Sequence, residues 1–152
     1  MFLKKRLTAT FLVKCGAIIT YMKEKFSAKR RLGNLGEDVA VQFLERKGFK
    51  VIERNFLRPW GEIDIIAEKA KTVRFVEVKT VSRESFTWNV SRENSYRPEE
   101  QVHPAKLKKL ARTAEMYMNS REDDRDYQID VVAVFLDTER RIARCRLYEQ
   151  VL

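Results

Sequence analysis

Asp64, Glu77 and Lys79 are the residues of this chain whose types and spacing suit chemistry, and all three fall between Gly61 and Thr80. The stretch reads Gly-Glu-Ile-Asp-Ile-Ile-Ala-Glu, a short polar piece, then Thr-Val-Arg-Phe-Val-Glu-Val-Lys-Thr. Two apolar, β-branched flanks around a polar joint predict a β-hairpin. Side chains alternate along a strand, so Glu62 shares a face with Asp64, and Glu77 shares one with Lys79. With an even-numbered loop of two or four residues, Asp64 and Glu77 lie directly opposite each other, within reach of one metal ion. An odd loop offsets them by one residue and needs a bulge to realign them. Carboxylates on a half-buried sheet are costly unless paired or metal-bound. The plainer alternative is an edge hairpin with one wet face, where Glu77 and Lys79 form a surface ion pair.

The elements that must position these residues are legible on either side. Lys29 to Lys47 reads as a helix, because Leu32, Leu35, Val39, Phe43 and Leu44 recur at three- and four-residue steps and Gly48 supplies a stop. Gly36 inside that helix costs about 1 kcal/mol against Ala, which points to close packing or to the approach of another group. Its neighbour Glu37, read alone, is a solvated helix position. Phe49 to Leu57 is a strand, and Arg58-Pro59-Trp60-Gly61 a turn. After the hairpin, Val81 to Val102 is long for a loop and sets Phe86, Trp88 and Tyr96 among Arg83, Arg92 and Arg97. That composition suits stacking on bases and contact with phosphates as well as it suits a loop with one aromatic tucked into the core. Pro104 opens a second helix with the stripe Leu107, Leu110, Ala111, Ala114, Tyr117 and Met118. Lys106, Lys108, Lys109 and Arg112 crowd its first half and oppose the helix dipole, which something anionic nearby would relieve. His103 is read as a loop residue. Gln128 to Leu136 is a central strand buried on both faces, with Asp130 near its start, and Ile142 to Tyr148 is the last strand.

The predicted order is α-β-β-β-α-β-β, an α/β domain spanning residues 30–152. The length of 152 residues suffices for one core, and 44% apolar residues is ordinary for a soluble protein. Cys15 and Cys145 have no metal-like spacing and fit a reducing, cytoplasmic setting, and one histidine argues against a histidine zinc site. The net charge of +9 is uneven. Residues 1–31 hold nine Lys/Arg against one acid, Glu24, whereas the remainder is nearly balanced. The basic balance is therefore no argument that the folded domain binds nucleic acid. Residues 1–29 read as a basic extension, disordered or from an upstream start with Met22 as the natural one. Their apolar pieces are too short to span a bilayer.

Taken together, Gly36-Glu37, Asn55, Gly61-Glu62-Ile63-Asp64-Ile65-Ile66-Ala67, Phe75-Val76-Glu77-Val78-Lys79-Thr80, Pro98-Glu99-Glu100 with Val102 and Lys106, and Asp130-Val131-Val132 form a specific series. In that order it resembles the bacterial YraN family over about residues 30–152. Val81 departs from the arginine found there in many members. The resemblance implies a restriction-endonuclease-like fold, similar to Holliday-junction resolvases, with a mixed five-stranded sheet flanked by helices. It implies that Asp64, Glu77 and the Val78 carbonyl ligate Mg²⁺ or Mn²⁺, with Glu37 as an outer or additional ligand. Lys79 would orient the attacking water and offset charge in the transition state. Lys106, Lys108, Lys109 and Arg112 would hold backbone phosphates. The function so implied is a metal-dependent, structure-selective DNA endonuclease, acting on branched DNA as a homodimer. It would need no small-molecule cofactor and no membrane. The alternative is a nucleic-acid-binding module that keeps the fold and hydrolyses little.

Overall fold

The computed structural model describes residues 7–14, 28–83, 102–137 and 140–151. Among these residues six strands form one sheet: β1 (Leu7–Lys14), β2 (Lys50–Arg58), β3 (Gly61–Lys69), β4 (Thr72–Arg83), β5 (Tyr127–Asp137) and β6 (Ile142–Tyr148). Two helices, α1 (Ala28–Arg46) and α2 (Pro104–Ser120), flank it. The spatial order is β1-β6-β5-β4-β3-β2, with β4 and β5 parallel and every other neighbouring pair antiparallel. The α-β-β-β-α-β-β order and the five strands expected after residue 30 are all present. β1 is an addition. It lies in the segment expected to be an unstructured extension, and its backbone pairs with β6. The alternating Thr-Ala-Thr-Phe-Leu-Val run suits a strand, and β6 otherwise leaves an open edge.

The helices take opposite faces. α1 buries Leu35, Val39, Ala40, Phe43 and Leu44 against Ile65, Ala67, Val76, Val132 and Val134. α2 buries Leu110, Ala114, Tyr117 and Met118 against Ile63, Ile66, Val73 and Phe75. β5, continuously buried, serves both faces: Val132 and Val134 meet α1, while Val131, Ala133 and Phe135 line the opposite side. Two glycines set the helix distances. A Cβ on Gly36 of α1 would stand 1.8 Å from the Thr80 hydroxyl on β4, and one on Gly61 would stand 2.5 Å from that of Thr113 on α2. The cost of Gly36 within a helix thus has close packing as its reason. α1 ends where Gly48 turns to φ +81°, with the Gly48 and Phe49 amides donating back to the Glu45 and Leu44 carbonyls.

At the far end of the sheet an ion cluster ties the last residues down. Arg74 Nη1 donates to Asp130 and to Glu149 at 3.0 Å each, while Gln128 and the Gln150 amide also donate to Asp130. Burial pushes the Asp130 carboxyl up, and these donors pull it back. Asp130 is structural. Among the described residues no helix is long and apolar enough to cross a membrane. The long loop expected from Val81 starts later, because Val81, Ser82 and Arg83 continue β4 beside β5. The rest of that run, residues 84–101, and the candidate start at Met22 lie outside the described residues.

Candidate active site

The hairpin between β3 and β4 has a two-residue loop, Ala70-Lys71, both at positive φ, which is the mirror-image turn that suits twisted strands. Lys69 faces Thr72, and the pairing runs regularly to Ile65 and Val76. One step further along that register stand Asp64 and Glu77. The even-loop expectation therefore holds, and the two carboxylates lie across from each other.

Regular pairing stops at that step. Instead of a backbone partner, the Val78 amide donates to Asp64 Oδ2 at 2.7 Å. The side chain has taken the place of the next ladder bond, and the two strands part around the site. In an extended strand the N–H and C=O of one residue point the same lateral way, so the Val78 carbonyl faces the same gap. A second irregularity explains the parting. Ile63 packs with α2, whereas Ile65 packs with α1, so the side-chain alternation breaks at Asp64. Opposite, between Arg54 and Phe56, Asn55 of β2 has φ +51°, a left-handed conformation that asparagine tolerates better than most residues. Backbone strain of this kind gathers at functional sites.

Val73 and Phe75 pack towards α2, and Glu77 and Lys79 continue the same phase along β4. Glu77 is only 1% exposed. Its Oε1 forms an ion pair with Lys79 Nζ at 3.1 Å and accepts a hydrogen bond from Lys106 Nζ, which enters from the first turn of α2. Its Oε2 is buried and has no hydrogen-bond partner. Asp64 is pushed up to about 7, first by burial and then by the negative charge of Glu77, against the Val78 hydrogen bond and the attraction of Lys106. Burial alone would lower the Lys106 ammonium, but its hydrogen bond to Glu77 and the nearby carboxylates outweigh that and raise it.

The remaining candidates are placed less centrally. Glu37, on α1, is raised by burial and opposed by a hydrogen bond with Asn55 and by Arg54, whose Nη2 lies 3.9 Å away. It is close enough for its charge to act on Asp64. Among the described residues no three His, Cys, Asp or Glu side chains converge on one ion. Lys106 is drawn into the carboxylates, while Lys108, Lys109 and Arg112 stay exposed along α2. Two clefts adjoin at Glu62. One of ≈ 410 Å³ is lined by Gly61, His103, Lys106 and Lys109. The other, of ≈ 650 Å³, is lined by Arg30, Asn34, Glu37, Arg54 and Asn55. His103 caps α2, its Nδ1 accepting from the Ala105 amide.

Sequence reasoning passed over two partners. Asn55, legible only as part of a motif series, bonds Glu37 across from Asp64. Lys106, named in the same series but given the phosphate-holding role of its helix neighbours, pairs instead with Glu77. The cations crowded at the start of α2 were the available signal, and the anion that relieves the first of them is the protein's own.

The donors offered to an ion are all oxygen: a buried carboxylate with one idle oxygen, a facing carboxylate whose ionisation that neighbour opposes, and a backbone carbonyl. That set fits a hard divalent cation such as Mg²⁺ or Mn²⁺. The fold and site together define an α/β protein with a mixed sheet that parts around a cluster of two carboxylates and two lysines, with the buried Glu77 at its centre. A family profile described as "Uncharacterised protein family UPF0102" matches residues 36–134. The chain is 38% identical over 116 residues to a UPF0102 protein of Moorella thermoacetica, covering 76% of this chain and 89% of the relative. It is 39% identical over 102 residues to one from Campylobacter jejuni subsp. jejuni serotype O:23/36 (67% and 81%), and 36% over 110 residues to one from Vibrio campbellii (70% and 83%). The protein belongs to the UPF0102 family, the YraN family that its motif series resembles.

Proposed function

We propose that this protein is a metal-dependent endonuclease that hydrolyses phosphodiesters in structured DNA. The observation that carries the reading is Glu77: a fully buried carboxylate with one oxygen shared by two lysines and the other unpartnered, facing Asp64 across parted strands. A buried carboxylate oxygen without a partner is costly in a merely structural cluster. Asp64, Glu77 and the Val78 carbonyl would hold Mg²⁺ or Mn²⁺, which when bound supplies Lewis acidity at the phosphate and lowers the pKa of a coordinated water. Lys79 stays on the same face as the carboxylates, where its ammonium orients the attacking water and offsets the charge gathering on the phosphate. Glu37, held by Asn55, shapes the field behind Asp64 from the second cleft. Lys108, Lys109 and Arg112 grip backbone phosphates without reading sequence.

The test is a cleavage screen of single-stranded, duplex, flap and four-way DNA with Mg²⁺ or Mn²⁺, beside Asp64→Asn. Metal-dependent cutting that Asp64→Asn abolishes supports the reading. Binding to these DNAs with no cutting under any metal replaces it with that of a nucleic-acid-binding module.

A further inference from the structure

Glu77 and Asp64 carry at most two negative charges, and Lys79 and Lys106 already bring two positive ones. Glu37 and Glu62 also act on the site from its edges, but a divalent cation placed between Asp64 and Glu77 competes with both ammoniums for the one Glu77 oxygen they share, and the like charges repel. A bound divalent ion therefore favours the departure of whichever ammonium is held more loosely. We propose that Lys106 is the resident counter-cation of this site, neutralising Glu77 until a divalent ion binds and then moving out into the adjoining cleft to meet the substrate phosphate. This rests on the metal-dependent reading above.

The geometry selects Lys106 rather than Lys79. Lys79 shares the strand face of Glu77 and its side chain is 25% exposed, whereas that of Lys106 is 47% exposed. Lys106 also sits in the first turn of α2, where the positive end of the helix dipole repels an ammonium. Glu77 is what retains it there, and an ion that takes up the charge of Glu77 removes that hold. The destination is already open. Lys106 lines the ≈ 410 Å³ cleft with Gly61, Glu62, His103 and Lys109. Once released, its four-carbon stem keeps the ammonium in that cleft, where it and Lys109 make a two-cation seat beside the carboxylates. Lys106 thus differs from Lys108 and Arg112, which face solvent and have no such exchange to make.

The test uses the full chain, stripped with a chelator and titrated with Mn²⁺ by calorimetry. Lys106→Met should bind Mn²⁺ about tenfold or more tightly than the wild type, because the ion no longer displaces a charge-assisted pair. The same variant should be less heat-stable without Mn²⁺. A purely structural lysine would lose stability and metal affinity together. Asp64→Asn should bind Mn²⁺ weakly and so marks the site. A second measurement needs no variant: in the wild type, saturating Mn²⁺ should raise the reaction of Lys106 with an amine-acylating reagent several-fold, read by peptide mass analysis, with Lys108 as the unchanged reference. Equal or weaker Mn²⁺ affinity in folded Lys106→Met, or Lys106 labelling indifferent to Mn²⁺, overturns the exchange while leaving the metal site standing. If neither wild type nor Lys106→Met binds Mn²⁺, the metal-dependent reading falls and the exchange falls with it.

Discussion

Asp64→Asn should stabilise the metal-free protein at pH 8 and leave it nearly unchanged at pH 4. The folded Asp64 carboxyl is raised from the ordinary value of 3.8 to about 7, by burial first and by Glu77 second. A carboxyl raised on folding binds its proton more tightly in the native state. Its contribution is fully present below about pH 4 and is lost as pH rises towards 7. Roughly three pH units at 1.36 kcal/mol each set a ceiling of about 4 kcal/mol. Residual solvent around this partly buried group, and the attraction of Lys106 that the variant gives up, reduce the expected gain to about 2 kcal/mol. For a chain of this length that is a rise in melting temperature of roughly 4–8 °C. The amide keeps an oxygen for the Val78 N–H, so the shape of the gap is retained. Thermal unfolding of both proteins in chelator, at unit steps from pH 4 to 8, measures the difference. It should open between pH 4 and 7 and stay constant above. Added Mn²⁺ should then favour the wild type alone. A variant less stable at every pH, or a difference that does not change between pH 4 and 8, refutes the reasoning that Asp64 is held against its own ionisation.

Arg74→Met should cost about 3–5 kcal/mol, because it leaves Asp130 buried without its cation, and a denaturant titration would show it. Gly36→Ala should cost at least about 1–3 kcal/mol through the clash with Thr80. Adding Thr80→Ala should recover part of that in the same melt. Deleting residues 1–21 removes β1 and bares the β6 edge, so the melting temperature should drop and self-association by light scattering should rise; an unchanged melt and a monomer would show that β1 adds nothing to the sheet. Replacing Lys108, Lys109 and Arg112 by Ala in that shortened chain should flatten the log–log salt dependence of DNA binding by about one unit for each phosphate no longer held, with no change in melting.

The chain itself determined most of the frame. The three-and-four spacing from Leu32 to Leu44, the stop at Gly48, Pro104 at the head of α2 and the unbroken Val131–Phe135 run are local signals, because helix and strand periods are set by neighbouring residues. The face shared by Glu77 and Lys79 follows from the same period of two, and a two-residue loop places Asp64 across from Glu77 by register alone. What the tertiary structure decided is how those groups are used. Whether Asp64 takes a backbone amide, whether strands part beside it, and which oxygen of Glu77 is left idle depend on the left-handed backbone at Asn55 opposite it and on where α2 lies. Lys106 reads like its three cationic neighbours along the helix. Only the packing of α2, brought close by Gly61 against Thr113, lowers it onto Glu77 and leaves the others in water. β1 was missed for a related reason. Its run of Thr, Phe, Leu and Val suits a strand, but a lone strand has nothing to pair with nearby, and it becomes part of the sheet through an edge supplied more than a hundred residues later in the chain.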